Sequence, residues 1–187
     1  MKKINVLLAA LFITGSVMAQ TTYKVDKSHS SLGFSISHLL ISEVDGKFKS
    51  FDATIVSPTD DFADATVELT ADISTIDTNN EGRDKHLRSA DFFDVEKFPT
   101  LTFKSTSFNK TGEKTYKVTG DLTMHGVTKP VTLDVTLTGT TTGRDGKKIA
   151  GFKATGTFNR IDWGVGKSGP GAGDEVTLNA KAEFKAQ

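Results

Sequence analysis

The sequence predicts an all-β fold of eight or nine antiparallel strands around one core, and two patterns carry this prediction. Apolar residues recur at every second position in long stretches of the chain, as they do in strands that bury one face. Turn residues separate these stretches, and Asp145-Gly146 is typical of a tight hairpin. The clearest alternating segments are SLGFSISH (31–38), DATVELTAD (64–72), TYKVTGDLTM (115–124), VTLDVTL (131–137), GFKATGTFNR (151–160) and VTLNAKAEF (176–184). Three further segments complete the set, namely TYKVD, GKFKSFDATIV and TLTFKS.

Strands with one apolar face hide it in a β-sandwich or in a β-barrel, and strand patterning alone barely separates the two. Small inward residues leave space inside a barrel of eight strands, whose interior holds side chains or one slender ligand. Small residues equally ease the curvature of a filled β-core, so both interpretations stand at this point. The small inward positions are Gly120, Ala154, Gly156, Ala180 and Ala182.

The segment TNNEGRDKHL is the one stretch that departs from the two-residue period. Thr78 followed three residues later by Glu81 matches a capping box, which predicts a short helix with Thr78 as its N-cap. In this helix Glu81 lies four residues from Lys85, and Asp84 lies four residues from Arg88. Opposite charges at that spacing pair along the solvent-exposed surface of a helix.

One face of the expected helix carries the residues that these pairs leave over. Arg83, His86, Leu87 and Ala90 are spaced by three, four and seven residues, so they lie on the same side. Two potential cations beside a leucine make this face a candidate rim for a barrel.

Residues 1–19 have the pattern of a secretory signal peptide. Lys2 and Lys3 precede the apolar run INVLLAALFI, which is well short of the ~20 residues that a transmembrane anchor needs. We expect cleavage after Ala19, which leaves residues 20–187 as one domain of an exported, soluble protein that is not an integral membrane protein. The chain has 0 Cys, so neither a lipid-modified amino terminus nor a disulfide framework is expected.

The net charge argues against nucleic acid as a partner. Removal of Lys2 and Lys3 takes the 23 Lys and Arg residues to 21 against 23 Asp and Glu, a net charge of about −2. No long basic run remains to follow a phosphate backbone.

No motif predicts a catalytic residue or a metal site. His29, His38, His86 and His125 each stand alone in their segments, without the paired spacing or the cysteine ligands of a zinc site. No serine lies in the G-x-S-x-G nucleophile motif. The segment WGVGKSGPGAGD (163–174) contains Gly-Lys-Ser but lacks the first glycine and the following helix of a phosphate-binding loop, so it is predicted as a flexible loop at a barrel mouth.

Polar residues at strand ends are expected to close or line the barrel. Arg160 is in phase with Phe158, so its guanidinium is predicted to point inward, where stacking on Trp163 and hydrogen bonds to carbonyl groups would plug one barrel end. His38 is in phase with the apolar face of its strand, and His125 ends another strand. Both histidines are candidate polar fixing points for a ligand.

Six segments together resemble the successive motifs of the YceI-like polyisoprenoid-binding proteins. They span nearly all of the predicted domain, and the long central motif is specific. The segments are YKVDKSHSSLGFSISHL (23–39), GKFKSFDATI (46–55), IDT (76–78), RDKHLRSADFFDVEKFPTLTF (83–103), GDLTMHGVTKPVTL (120–133) and NRIDWG (159–164). The resemblance implies a single lipocalin-like antiparallel β-barrel, usually periplasmic, that binds a long isoprenoid chain in its lumen and is not an enzyme.

The leading hypothesis is therefore an exported carrier or reservoir for a polyprenyl phosphate, a quinone or a similar lipid, with no other cofactor. Burial of apolar surface at about 25 cal/mol per Å² supplies the affinity, and polar groups at the entrance supply specificity. The head-group candidates are Arg83, His86, His38 and His125. The expected lumen residues are Leu32, Phe34, Ile36, Val67, Leu69, Phe103, Val118, Leu122, Val135, Phe152, Phe158 and Leu178.

Two other hypotheses stand beside the carrier. One is an enzyme that acts on a lipid inside the same cavity, with a histidine as acid or base. The other is a stress-linked structural protein with a filled core and no ligand.

Overall fold

Ten strands form one antiparallel sheet in the computed structural model, which describes residues 20–187. The expected signal peptide, residues 1–19, lies outside the described residues. The strands are β1 (Thr21–His38), β2 (Ser42–Phe48), β3 (Phe51–Ser57), β4 (Thr66–Asp72), β5 (Ile76–Asp77), β6 (Thr100–Lys110), β7 (Thr115–Met124), β8 (Val127–Thr142), β9 (Lys148–Asn159) and β10 (Glu175–Ala186). One helix, α1 (Glu81–Arg88), and two 3₁₀ turns, Ile73–Thr75 and Arg160–Trp163, interrupt them.

The sheet closes into a barrel because β1 pairs on both of its edges. On one edge it pairs with β10, and on the other its residues 21–24 pair with β3 and its residues 32–38 pair with β2. The closed circuit is β1, β3, β4, β6, β7, β8, β9 and β10, which is eight strands. This closure confirms the predicted all-β antiparallel barrel with one short helical insertion, and it decides between the barrel and the sandwich.

The connections between strands divide between two ends of the barrel. At the end that we call the upper end lie the β1–β2 hairpin, the helix-containing segment 73–99 and the segment 160–174 before β10. The β3–β4 loop and the β6–β7 and β8–β9 turns lie at the lower end. The long segments at the upper end carry all of the helical structure, so the two ends are closed by different means.

A single phenylalanine from the β3–β4 loop closes the lower end. Phe62 is 1% exposed, and its ring lies 5.2 Å from that of Tyr23 and 5.0 Å from that of Phe152. The Tyr116 hydroxyl donates to the Asp61 carbonyl at 2.6 Å and holds the loop over the barrel. Sequence patterning missed this cap because Phe62 is a single large apolar residue in a loop without strand periodicity.

Helix α1 begins at Asn80 rather than at the predicted Thr78. The Asn80 side-chain oxygen accepts from the backbone N–H of Arg83 at 2.9 Å, which is the N-cap bond. Thr78 is instead buried and donates its backbone N–H (2.9 Å) and its hydroxyl (2.5 Å) to the Asp84 carboxylate. The capping-box prediction was wrong by two residues because the Thr78 hydroxyl donates to Asp84 and accepts from Arg83 Nε, which leaves Asn80 to accept from the first turn of the helix.

The predicted surface ion pairs of α1 are also wrong. Asp84 is 8% exposed and occupied by Thr78, so it does not pair with Arg88, whose guanidinium donates to the Ser74 carbonyl at 3.3 Å. Within residues 20–187 no ion pair joins Glu81 to Lys85. The acidic side chain that anchors this helix is therefore the buried Asp84 carboxylate.

Replacement of Asp84 by Ala is expected to lower the free energy of unfolding by about 1–3 kcal/mol, because two buried donors of Thr78 lose their acceptor. Denaturant unfolding measures the change. Glu81→Ala is the matched control, since Glu81 is an exposed acid of the same helix and should change stability by no more than about 0.5 kcal/mol. Equal effects of the two variants would contradict the anchoring role of Asp84.

The small inward residues divide into two groups. A side chain at Gly120 would come within 2.5 Å of the Phe103 ring, and one at Gly156 within 2.6 Å of the Leu133 side chain, so these glycines admit their neighbours. Ala154, Ala180 and Ala182 instead line open space inside the barrel. Neighbouring side chains therefore fill the space beside the two glycines, whereas the three alanines leave the space inside the barrel open.

Candidate functional site

The barrel encloses a cavity of about 570 Å³, within the range of roughly 300–1,000 Å³ that small-molecule sites occupy. Every strand of the closed circuit contributes side chains to its wall, because alternate residues of each strand face inward. All twelve residues that the alternation assigned to the lumen line this cavity: Leu32, Phe34, Ile36, Val67, Leu69, Phe103, Val118, Leu122, Val135, Phe152, Phe158 and Leu178.

The cavity reaches the surface at the upper end, where three segments surround it. The β1–β2 hairpin contributes His38 and Val44, the helix-containing segment contributes Leu87, and the loop before β10 contributes residues 165–172 in part. The Gly173 N–H donates to the Ser37 carbonyl at 2.9 Å and ties this loop to the hairpin. The predicted placement of the glycine-rich loop at the barrel mouth agrees with this geometry.

All ionisable side chains among the described lining residues are basic. Arg83, His86, Arg160, His38 and Lys167 line the cavity, whereas no aspartate or glutamate of residues 20–187 does. These five residues lie toward the upper end, while the lower end is closed by aromatic rings. An apolar tube with a basic entrance favours a ligand that has a long apolar chain and an electronegative head group.

A short hydrogen-bond chain orients Arg83 at the entrance. The guanidinium donates through Nε to the Thr78 hydroxyl (2.8 Å) and through Nη2 to the Thr78 carbonyl (2.7 Å), and Asp84 holds Thr78 from the other side. The Nη1 group has no hydrogen-bond partner in the described part of the chain. The buried Asp84 therefore positions Arg83 through Thr78. The Nη1 group of the guanidinium remains available to a ligand.

His86 lies one helical turn beyond Arg83 and is exposed. Its Nε2 is 3.1 Å from the Asp91 carboxylate, and its ring packs edge-on at 5.0 Å from Phe92. Leu87 lines the cavity from the same helix, which matches the predicted face. Ala90 does not belong to the lining, because α1 ends at Arg88 and the chain turns away.

Lys167 is a basic lining residue that sequence reasoning did not select. It follows Gly166, which has φ of 72° and whose α-carbon is packed between the Arg160 guanidinium and the Phe92 ring. A side chain at Gly166 would lie 2.7 Å from both neighbours. The Gly-Lys-Ser run was correctly rejected as a phosphate-binding loop of the nucleotide type, but that rejection also set aside its lysine.

Arg160 organises the loop before β10 from inside. It is 4% exposed, and burial lowers the pKa of its guanidinium while Asp174 partly opposes this effect. The predicted hydrogen bonds to carbonyl groups are present. Their acceptors are Val165 (2.6 Å), Gly173 (2.8 Å), Lys167 (3.0 Å) and Ala172 (3.2 Å).

Trp163 is buried, but its ring packs against Phe158 and not against the Arg160 guanidinium as expected. Its indole N–H donates to the Leu122 carbonyl at 3.0 Å, and its ring packs edge-on against Phe158 at 5.4 Å. Stacking of the Arg160 guanidinium on this indole is not observed among the described aromatic contacts, because carbonyl groups surround the guanidinium. Arg160 lines the cavity and Trp163 does not, and each is held by its own hydrogen bonds.

His125 does not reach the cavity, so its selection as a head-group candidate was wrong. It lies in the β7–β8 turn with φ of 51°. Its Nδ1 is 3.2 Å from the Trp163 carbonyl, and its ring lies 4.8 Å from that of Phe98. The imidazole is partly buried against these two partners and does not line the lumen.

Potential metal ligands within residues 20–187 converge at one place, outside the barrel. Ligand atoms of Asp26, His29 and Glu183 lie within 4.8 Å of one another. Hydrogen bonds from the Ser28 hydroxyl, His29 and the Ser28 N–H lower the pKa of Asp26 to about 2, and Asp26 raises the pKa of His29. These internal bonds account for the cluster, and none of its three residues lines the cavity.

Residues 20–187 contain no helix with the length and apolar character needed to cross a membrane.

Comparison with known proteins agrees with this architecture. Residues 23–184 match the family model described as the YceI-like domain. Protein YceI of Salmonella newport (strain SL254) is 42% identical over 179 residues, which cover 95% of this chain and 93% of the relative.

Two solved structures show the same barrel. The crystal structure of the Campylobacter jejuni YceI protein superposes with a TM-score of 0.74 at 35% identity and covers 87% of this chain and 96% of that one. A polyisoprenoid-binding domain from Saccharophagus degradans superposes with a TM-score of 0.63 at 15% identity, covers 88% of this chain and 98% of that one, and supports the fold alone. From the match of the family model and from these relatives, the chain belongs to the YceI-like family.

Proposed function

We propose that the protein binds one long-chain isoprenoid lipid in the barrel cavity, with the chain in the apolar lumen and the head group at the basic entrance. One observation carries the proposal: an apolar cavity of about 570 Å³ ends at a mouth whose ionisable lining residues are all basic. The S. degradans structure is named as a polyisoprenoid-binding domain, and we extend that ligand class to this chain as part of the proposal.

The proposed role is that of a carrier or reservoir outside the cytoplasm. A polyprenyl chain is insoluble in water, and each buried methylene contributes about 0.8 kcal/mol to its binding. The apolar surface of the lumen is sufficient for this binding, and no chemical reaction with the ligand is needed. Cleavage of residues 1–19 during export is part of the proposal.

Co-purification tests the proposal directly. The protein is purified without detergent and extracted with organic solvent, and the extract is analysed by mass spectrometry. We expect an isoprenoid lipid at up to one molecule per barrel, and uptake of added geranylgeranyl phosphate by lipid-free protein. Absence of both a co-purified lipid and probe uptake would contradict the proposed function.

The open lumen disfavours the hypothesis of a structural protein with a filled core. A structural protein with a filled core has no need of a continuous cavity. For an enzyme, His38 and His86 are the histidines of residues 20–187 that line the cavity, and His29 and His125 lie outside it. We propose binding without turnover, and the recovery of unchanged geranylgeranyl phosphate after incubation tests this part.

The double variant Arg83→Ala with His86→Ala is expected to weaken binding of geranylgeranyl phosphate by about tenfold or more, because a charge-assisted hydrogen bond is worth about 1.5–3 kcal/mol. Binding of geranylgeraniol, which has the same chain and no phosphate, should change by less than about threefold. Fluorescence competition measures both affinities. Lys85→Ala is the control, since Lys85 is a basic residue of the same helix outside the cavity lining. Equal losses for both ligands would mean that the pair only supports the rim.

A further inference from the structure

The turn between β1 and β2 exposes three consecutive large apolar side chains. Leu40 is 87% exposed, Ile41 is 84% exposed and Leu39 is 49% exposed. They are the exposed large hydrophobic residues of the described chain, and we call them the hydrophobic tip. Single exposed apolar residues are ordinary on a protein surface, whereas a contiguous group indicates an interaction site.

Leucine is an unusual residue for the backbone conformation of the hydrophobic tip. The Ile41 N–H donates to the His38 carbonyl at 3.2 Å and closes a tight turn, and the two central residues have positive φ, 52° for Leu39 and 61° for Leu40. Asparagine and glycine are the residues that such hairpin turns prefer. Two leucines here cost conformational energy and gain no burial within the barrel, so turn formation does not explain them.

The tip stands at the mouth of the cavity. His38 precedes it and Val44 follows shortly after it, and both line the cavity. The loop before β10, which carries the lining residue Lys167, is hydrogen-bonded to Ser37 of the same hairpin. An object that contacts the tip therefore lies directly beside the entrance.

We propose that the hydrophobic tip inserts into the surface of a lipid bilayer and holds the cavity mouth against it, so that the lipid enters and leaves the lumen without crossing water. This inference rests on the proposed function of the cavity. A convex apolar turn needs no complementary pocket when its partner is a fluid bilayer. Basic Arg83 and Lys167 at the mouth complement the negative charge of anionic lipids.

A second protein fits this surface less well. Three side chains supply far less than the roughly 800 Å² that each partner contributes to a stable protein–protein interface. The acidic Glu43 and Asp45 follow on exposed positions of β2, which limits insertion to the tip itself. The contact with the bilayer is therefore shallow and reversible.

Vesicle flotation with the protein produced from the full sequence tests the proposal. The vesicles contain phosphatidylethanolamine and phosphatidylglycerol at a ratio of 3:1. In the variant Leu39→Asn with Leu40→Gly, an Asn-Gly pair suited to the turn replaces the leucines, so the barrel should remain at least as stable in thermal unfolding. We expect the unaltered protein to float and the variant to lose at least about tenfold in vesicle partitioning. The control Lys114→Asn, in the β6–β7 turn at the lower end, should float like the unaltered protein.

A fluorescent variant adds a direct reading of insertion. The chain has 1 Trp, the buried Trp163, so its emission provides a constant background. In Leu40→Trp, the new indole should shift its emission to shorter wavelength on addition of the vesicles. Flotation that is equal for the unaltered protein and the Asn-Gly variant, or an unshifted emission, would overturn the proposal. So would a dimer in sedimentation velocity that the Asn-Gly variant abolishes, because a second copy would then cover the tip.

Lumen binding is measured separately with geranylgeranyl phosphate added without vesicles. The Asn-Gly variant should bind this probe as the unaltered protein does, but should extract it from vesicles at least about tenfold more slowly. Failure of the proposed function alone would appear as flotation without probe binding. Failure of the tip proposal alone would appear as probe binding with unchanged extraction from vesicles.

Discussion

Replacement of Arg160 by Met is expected to lower the free energy of unfolding by about 3–5 kcal/mol, the range found when one partner of a buried ion pair is removed. Arg160 is 4% exposed and donates to four carbonyl groups of the segment 165–173. Methionine fills much of the same space but leaves these acceptors without a donor. The Asp174 carboxylate, 3.7 Å away, also loses its cationic neighbour. Chemical denaturation measures the loss.

Two further variants separate the hydrogen bonds of Arg160 from its charge. Arg160→Lys keeps the positive charge, but a single ammonium group does not reach all four carbonyl groups, so it should lose an intermediate amount of stability. Arg144→Met removes an exposed arginine from the β8–β9 turn and should change stability by less than about 0.5 kcal/mol. If Arg160→Met were no more harmful than Arg144→Met, the loop before β10 would not depend on this guanidinium.

Introduction of a tryptophan at Ala180 is expected to reduce the affinity for geranylgeranyl phosphate by roughly 100-fold or more, because displacement of one isoprene unit forfeits several methylene contacts at about 0.8 kcal/mol each. Ala180 lies on β10 between Leu32 and Ala154, and it lines the open part of the lumen. The new side chain occupies space that the alanine leaves empty, so the barrel should still fold. Fluorescence competition measures the affinity, and circular dichroism checks the fold.

Lys181→Trp is the matched control for this experiment. Lys181 is the next residue of the same strand, is exposed and points to the opposite face of the sheet. This variant carries the same added bulk without entering the lumen, so it should bind the probe as the unaltered protein does. Equal affinity of the Ala180 and Lys181 variants would place the lipid outside the barrel.

The lumen was predictable from local patterning. Inward and outward residues alternate along a strand with a period of two, so Phe34 or Leu178 can be assigned to the interior once the strand is recognised. This rule needs no knowledge of which strands pair. The twelve assigned positions all line the cavity for that reason.

The chemistry of the entrance was predictable only in part. Helical spacing correctly placed Arg83, His86 and Leu87 on one face. The burial of Asp84 was missed, because it depends on contact with Thr78 across the turn before the helix. His125 was misplaced because its turn, rather than the phase of its strand, sets its direction.

The sequence by itself determined the strands, the inward residues and the alanines that leave room, because each of these depends on the local period and on side-chain size. Only the tertiary structure decided that the barrel closes through both edges of β1, that Phe62 seals the lower end and that Lys167 joins the entrance. These features bring together residues that are distant along the chain, and strand register and loop packing determine such contacts. Those contacts alone make the two ends of the barrel different, with the lower end closed by aromatic rings and the upper end lined by basic side chains.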